Sequence, residues 1–201
     1  MTRALLFDLG NVLVAFDFTR GYRALEGVCP HPAEEIPARI AASGLVPPYE
    51  RGEVSSEAFY LQLCRLLDLP VSYDQFCALW STIFLPDPIV SEDLLISLHR
   101  RYRMVLISNT NDIHFRVIQA NYPLIGHFDA MVLSHQVGAM KPADRIYQEA
   151  IRQAACRPEE CFYTDDVPEF VEGGRRNGLD AVRFTGQADL ERELQRRGIW
   201  S

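Results

Sequence analysis

A short apolar run that ends in an acidic residue and a turn constrains this chain more than any other feature. Residues Ala4 to Phe7 are apolar, Asp8 follows them, and Gly10 comes two residues later. So short a run is typical of a buried strand in a parallel sheet, and the glycine permits the chain to turn sharply after it. Open α/β folds build their sites at this carboxyl edge of the sheet, so Asp8 is a candidate site residue.

Apolar runs of the same kind recur along the chain and alternate with helical patterns. They predict four more strands: Met104 to Ser108, Ala130 to Ser134, Cys161 to Asp165 and Ala181 to Phe184. Apolar spacing of about 3.6 residues predicts helices at Ser91 to Arg100, Asp112 to Ala120, Ala143 to Ala155, Glu169 to Arg176 and Asp189 to Arg197. Alternation of strand and helix indicates βαβ units, so we expect an α/β fold with a Rossmann-like parallel sheet between two layers of helices.

The interval between the first two predicted strands is about 95 residues, far longer than one crossover needs. Its pattern is mostly helical, over Thr19 to Glu26, Pro32 to Ser43, Ser55 to Leu67 and Ser72 to Phe84. Pro86 and Pro88 mark the return to the sheet. We expect a core of residues 1–15 and 87–201 and an inserted helical cap of residues 16–86, which would exclude water and select the substrate.

The composition narrows the classes of partner. A formal net charge of −7 argues against nucleic acid, because most of the surface would repel phosphates. The apolar runs are too short to cross a bilayer, and Met1-Thr2-Arg3 leads into the first strand without the apolar segment of a signal peptide, so we expect a cytoplasmic protein. The five cysteines lack CxxC or zinc-knuckle spacing, which favours free thiols. The sequence leaves the oligomeric state open and is compatible with a monomer.

Two adjacent acids, Asp165 and Asp166, end the strand predicted from Cys161. At about 5 Å and an effective dielectric constant of about 20, each pair of like charges costs roughly 3 kcal/mol. With Asp8 at the same sheet edge, Mg²⁺ would relieve this repulsion through oxygen ligands and would bridge the acids to a phosphate. The alternative is a solvated turn in which the acids cap the helix that follows.

Three further segments carry candidate site residues, and each has a structural alternative. Ser108 and Asn109 open a turn after a strand, where a hydroxyl and backbone amides suit phosphate oxygens, although a helix N-cap also explains them. Lys141 is the single lysine beside nineteen arginines, and Pro142 after it suits a helix start. An ammonium there would oppose the helix dipole, which indicates functional use unless it is a solvated surface lysine. The polar loop Tyr49-Glu50-Arg51-Gly52-Glu53 either faces the site or is a solvated turn.

The order Asp, Ser, Lys-Pro and Asp-Asp on successive βα units resembles the haloacid dehalogenase superfamily, in its subfamily with a helical cap after the first motif. The resemblance covers nearly the whole chain. The segments that look especially like the bacterial α-D-glucose-1-phosphate phosphatase group are Phe7-Asp8-Leu9-Gly10-Asn11-Val12, Ser108-Asn109-Thr110-Asn111, Lys141-Pro142-Ala143-Asp144-Arg145-Ile146-Tyr147 and Tyr49-Glu50-Arg51-Gly52-Glu53-Val54-Ser55. This resemblance implies a Mg²⁺-dependent phosphomonoester hydrolase for a small phosphorylated metabolite, such as the sugar phosphate glucose 1-phosphate.

The resemblance also implies a role for each matching residue. Asp8 would attack phosphorus and form an aspartyl-phosphate, and Lys141 would neutralise the phosphate and the nucleophile. The implied substrate contacts are Ser108, Asn109, Gly10, Asn11 and Arg51, and the implied magnesium ligands are Asp8, the Gly10 carbonyl, Asp165 and Asp166, the last as a ligand or as support for one.

Two positions depart from the pattern of the family. Most family phosphatases carry a second Asp where this chain has Gly10, although the sugar-phosphatase group shows the same glycine. That Asp protonates the leaving group, and the loss of a general acid costs about 10²- to 10⁴-fold in rate. The acidic motif commonly continues with Asn where this chain has Phe170. Two alternatives follow: a metal-independent 2-haloacid dehalogenase, against which the acidic pair argues, and a binding or regulatory protein of the same fold without catalysis.

Overall fold

The computed structural model describes residues 1–200. Its strands and helices follow one another in this order: β1 (Ala4–Phe7), β2 (Val14–Phe16), α1 (Phe18–Glu26), α2 (Ile36–Ser43), α3 (Val46–Glu50), α4 (Ser56–Leu67), α5 (Tyr73–Trp80), β3 (Phe84–Pro88), α6 (Glu92–His99), β4 (Arg103–Ser108), α7 (Asp112–Asn121), β5 (Ala130–Leu133), α8 (Ser134–Val137), α9 (Asp144–Ala154), β6 (Cys161–Asp165), α10 (Pro168–Arg176), β7 (Asp180–Arg183) and α11 (Gln187–Arg196). Short 3₁₀ turns cover Pro123–His127 and Pro158–Glu160.

Five of the strands form a parallel sheet in the order β5-β4-β1-β6-β7, which confirms the predicted fold class and the five predicted strands. Strand β1 is the middle strand, and Phe7 pairs with Leu106 on one side and Thr164 on the other. Buried apolar clusters cover both faces of the sheet, as expected when helices pack on each side. The central position of β1 places the residues that follow it between the ends of β4 and β6.

A separate buried cluster lies among helices α1 to α5, which fill most of the interval after β2. Its centre is aromatic: the rings of Tyr49 and Phe59 stack with centroids 4.2 Å apart, and Phe76 meets Phe59 edge-on. The chain enters and leaves this helical segment through β2 and β3, which pair as an antiparallel ribbon. The predicted boundaries at residues 15/16 and 86/87 fall inside these two strands, and the division into core and cap stays a prediction.

Three local predictions differ from the structure. The helix predicted to Phe84 ends at Trp80, and Phe84 instead begins β3. Helix α3 forms where no helix was predicted; its two prolines lie in the first turn, where they lose no helical hydrogen bond. Helix α9 begins at Asp144, one residue after its predicted start, with Ala143 as its N-cap, so Lys141 lies two residues before the cap. Within residues 1–200, no helix combines the length and the apolar character that crossing a membrane requires.

Candidate active site

A buried ion cluster of Asp8, Lys141 and Asp165 lies at the carboxyl edge of the sheet. The Lys141 ammonium donates to Asp8 Oδ1 and to Asp165 Oδ2, and both distances are 2.6 Å. The three residues are 6%, 3% and 0% exposed. Buried charges of this kind persist only when they are paired and hydrogen-bonded, and here one ammonium pairs with both carboxylates.

Strand order accounts for this convergence. Asp8 directly follows β1, its backbone N–H donates to the Thr164 carbonyl at 3.0 Å, and Asp165 is the last residue of the neighbouring strand β6. Lys141 arrives from the loop between α8 and α9, and its ammonium also lies 3.4 Å from the Ile107 carbonyl at the end of β4. Residues separated by 133 and 24 positions in the chain therefore share one site.

Burial and charge act in opposite directions on these groups. Burial raises the pKa of the Asp8 carboxyl against the lowering effect of Lys141, and the neighbouring Asp165 raises it further. Burial alone would lower the pKa of Lys141, but the two carboxylates outweigh it, so the pKa of the ammonium rises. The lysine therefore stays charged, and its charge favours the ionised form of Asp8 against the effect of burial.

The acidic residues provide a donor set that fits Mg²⁺. Asp8, Asp165 and Asp166 each offer a carboxylate oxygen, and these oxygens lie within 4.8 Å of one another. Asp166 is partly buried, and the nearby charge of Asp165, together with burial, raises its pKa. The Lys141 ammonium pairs with two of these three acids, Asp8 and Asp165. Because Mg²⁺ takes oxygen ligands, principally carboxylates, these residues fit that ion.

The Asn109 side chain makes two hydrogen bonds with the backbone of Lys141. Its amide oxygen accepts from the Lys141 backbone N–H at 2.7 Å, and its amide nitrogen donates to the Lys141 carbonyl at 3.0 Å. Ser108 beside it is buried at the end of β4, and its hydroxyl makes only a long contact, 3.4 Å, to the Asn109 carbonyl. The Asn109 side chain thus positions the lysine, while Ser108 has a weakly engaged hydroxyl at the sheet edge.

Position 10 has no space for a side chain. A Cβ atom built on Gly10 would lie 2.6 Å from Cε1 of Phe16, closer than non-bonded carbons approach. Asn11 after it adopts a left-handed conformation with φ 55°, which Asn tolerates better than most residues. It is exposed, and its side chain lowers the pKa of Asp166 through a hydrogen bond. The ring of Phe16 therefore occupies the space that the side chain of an acid at position 10 would take.

A cavity of about 470 Å³ lies between this sheet edge and the helical segment. Gly10, Ser108 and Asn109 line it on the sheet side, so three predicted substrate contacts share one cavity. Arg51 is not among its lining residues: the guanidinium instead donates to Glu53 through Nε at 2.6 Å and Nη2 at 2.9 Å. The neighbouring Glu50 lines the cavity in its place.

Two residues, Phe170 and Tyr163, contact the ion cluster in ways that the sequence did not predict. The ring of Phe170 lies 4.9 Å from the Lys141 ammonium, so the departure from Asn places a cation–π contact beside the lysine. The Tyr163 hydroxyl donates to Asp165 Oδ2, and the Val167 N–H donates to Asp165 Oδ1 at 2.9 Å. Tyr163 precedes Asp165 by two residues in the same strand and shares its face, a period-two signal that was available in the sequence.

The chain is an α/β protein whose parallel sheet carries a cluster of acidic residues at its carboxyl edge, where enzymes of this architecture place their active sites. A family model described as haloacid dehalogenase-like hydrolase matches residues 2–178. The chain belongs to this hydrolase family, which confirms the superfamily resemblance found in the sequence; the resemblance to the glucose-1-phosphate phosphatase group stays a prediction.

Similar proteins come from several bacteria. The chain is 24% identical over 200 residues to a D-ribitol-5-phosphate phosphatase of Bacteroides thetaiotaomicron, covering 96% of this chain and 97% of that protein. It is 28% identical to Phosphatase MT3486 of Mycobacterium tuberculosis over 89% of this chain and 85% of that protein. A Bacteroides thetaiotaomicron haloacid dehalogenase family enzyme, solved in complex with magnesium and inorganic phosphate, superposes with a TM-score of 0.82 at 25% identity, covering 92% of this chain and 94% of that one.

Proposed function

We propose that this protein is a Mg²⁺-dependent phosphomonoesterase that acts on a small phosphorylated metabolite. The observation that carries the proposal is the buried cluster of Asp8, Lys141 and Asp165 with Asp166 beside it. A carboxylate nucleophile, an ammonium for the phosphate charge and oxygen ligands for a divalent ion are the groups that phosphoryl transfer to an aspartate requires. The phosphatases among the relatives support the same chemistry.

The chain's residues supply the steps as follows. Asp8 attacks phosphorus and forms an aspartyl-phosphate, which water then hydrolyses. Lys141 holds the attacking carboxylate in place and offsets the charge of the phosphate, while Ser108 donates its hydroxyl to a phosphate oxygen. Asp8, the Gly10 carbonyl, Asp165 and Asp166 would hold Mg²⁺, which, when bound, neutralises charge on the phosphoryl group. The helical segment, proposed as a cap over residues 16–86, keeps bulk water from the intermediate.

For the substrate we propose a sugar or polyol phosphate, with glucose 1-phosphate as one candidate. Support comes from the names of relatives, which include a D-ribitol-5-phosphate phosphatase and a glyceraldehyde 3-phosphate phosphatase. A cavity of about 470 Å³ has the size of a small-metabolite site. We also propose a cytoplasmic location for the protein.

The experiment measures release of phosphate from p-nitrophenyl phosphate and a panel of sugar phosphates with Mg²⁺, with EDTA, and with the variant Asp8→Asn. We expect turnover that EDTA abolishes and that falls by at least about 10³-fold in Asp8→Asn, because no carboxylate remains to attack phosphorus. Asp8→Asn should still fold, since Lys141 keeps Asp165 as its partner. Turnover by that variant near the wild-type rate would refute the assigned nucleophile. Release of halide from a 2-haloacid that persists in EDTA would identify a dehalogenase instead.

A further inference from the structure

The site lacks a proton donor at position 10, because the chain has Gly10 there. An alkoxide leaving group needs protonation as its bond to phosphorus breaks, and the ring of Phe16 fills the space in which an acid at position 10 would stand. A proton donor for the proposed reaction must therefore come from another element that reaches the same cavity.

Most of the cavity wall offers no such donor. Much of it is apolar or aromatic, including Phe16, Phe18, Leu25, Trp80, Ile83 and Phe84. Among the lining residues in the described part of the chain, Glu50 is the one carboxylate. His114 also lines the cavity, but both ring nitrogens are engaged, Nδ1 with the Asn111 amide at 3.1 Å and Nε2 with the Trp80 carbonyl at 3.0 Å.

Burial also keeps His114 neutral, because it lowers the pKa of that imidazole to about 4. The remaining titratable group of the lining is Tyr22, and burial raises the pKa of its hydroxyl above the ordinary value. A phenol with a raised pKa is a poor proton donor at neutral pH. Neither group can replace a carboxylic acid in this cavity.

Two anchored neighbours, Tyr49 and Gly52, flank Glu50 in the cavity wall. The Tyr49 hydroxyl accepts from the Ile113 N–H at 3.2 Å and bonds with Ser56 Oγ at 2.9 Å. On the other side, Gly52 has φ +70° and packs so closely on the His135 carbonyl that a Cβ atom would lie 2.0 Å from that oxygen. The end of α3 is therefore fixed to helices α7 and α8, which follow β4 and β5, and Glu50 has a defined place in the cavity wall.

The carboxyl group of Glu50 is not used by the fold. Burial is the single influence on it from the surrounding described residues, and it raises the pKa of Glu50 to about 7. Because no cation within those residues stabilises its charge, the group exchanges a proton readily near neutral pH, which suits a general acid and base.

We propose that Glu50 is the general acid and base of the reaction. This inference depends on the proposed phosphatase function. As an Asp8 oxygen bonds to phosphorus, the bond from phosphorus to the ester oxygen breaks, and its electron pair moves to that oxygen, which takes the proton of Glu50. A water oxygen then bonds to phosphorus while the bond to Asp8 breaks, its electron pair returns to the Asp8 carboxylate, and the water proton restores the acid form of Glu50.

The test is Glu50→Gln, which keeps the shape of the side chain and removes its exchangeable acid proton. It is assayed on p-nitrophenyl phosphate and on phenyl phosphate, whose phenolate, with a pKa of about 10, is the poorer leaving group. We expect kcat/KM for phenyl phosphate to fall by at least about 100-fold and kcat/KM for p-nitrophenyl phosphate by less than about tenfold. Because hydrolysis of the aspartyl-phosphate in this variant also lacks its general base, a burst of one equivalent of p-nitrophenol should precede slow turnover.

Glu57→Gln is the matched control, because Glu57 is an exposed glutamate in the first turn of α4 and should leave both rates unchanged. Equal losses on the two esters, or no loss on either, would overturn the assignment of Glu50. Wild-type protein that hydrolyses neither ester with Mg²⁺ would instead overturn the phosphatase function itself. A thermal melt of Glu50→Gln within a few degrees of wild type shows that any loss of rate does not come from unfolding.

Discussion

Replacing Lys141 by methionine tests the buried ion cluster most directly. Methionine retains most of the length of the side chain and removes the ammonium, which lies 2.6 Å from oxygens of both Asp8 and Asp165. At an effective dielectric constant of about 20, each contact is worth about 6 kcal/mol of attraction, most of which offsets the cost of burying the charges. Breaking a buried ion pair by removing one partner costs about 3–5 kcal/mol.

We therefore expect Lys141→Met to lower the free energy of unfolding by about 3–5 kcal/mol in urea titrations with EDTA at neutral pH. Added Mg²⁺ should stabilise this variant more than the wild type, because the ion replaces the missing positive charge. Arg152→Met is the control: Arg152 is 68% exposed in its pair with Glu149, and its loss should leave the free energy of unfolding nearly unchanged. A Lys141→Met protein as stable as this control would refute the idea that the ammonium balances two buried carboxylates.

Two further predictions concern the cavity. Gly10→Ala should lower the free energy of unfolding in urea titrations by about 1–3 kcal/mol, because its Cβ would lie 2.6 Å from Phe16. Gly126→Ala, with open space around the new Cβ, is the control and should be neutral. Equal effects of the two substitutions would contradict the clash. Because burial raises the pKa of Glu50 from 4.5 to about 7, the folded state holds this proton more tightly than the unfolded state, so the contribution of Glu50 to stability falls as pH rises through that range. The free energy of unfolding of Glu50→Gln should therefore rise relative to wild type between pH 5 and 8. The gain is at most about 3 kcal/mol from the pKa shift, and about 1–2 kcal/mol after allowance for solvent. A difference in urea midpoints that does not change with pH would be inconsistent with a buried, unpaired carboxyl.

The sheet could be predicted because its strands are short apolar runs, buried on both faces, whose pattern does not depend on distant residues. The order of chemical groups along the chain then identified the residues that meet at its edge. Strand β2 was missed because it has only three residues, and β3 because it carries two prolines; the two strands are held by pairing with each other. Helix α3 was missed for a related reason, since a first turn rich in proline looks like a break in the sequence.

The roles that the sequence could not assign depend on contacts across space. Nothing in the sequence tells that the ring of Phe16 stands where a side chain at position 10 would lie, or that Phe170 contacts Lys141. Arg51 was predicted to contact the substrate; in the structure its guanidinium pairs with Glu53, and its neighbour Glu50 lines the cavity. Which of two adjacent polar side chains faces a site is decided by how the helix before them docks.

The single lysine of the chain has a practical consequence. With nineteen arginines supplying every other strongly basic side chain, a reagent specific for ε-amino groups has one target, and the fold shields it. Acetylation or carbamylation of the ε-amine would therefore report the opening of this one region of the molecule, and a mass increase confined to residue 141 would time that opening without any engineered label.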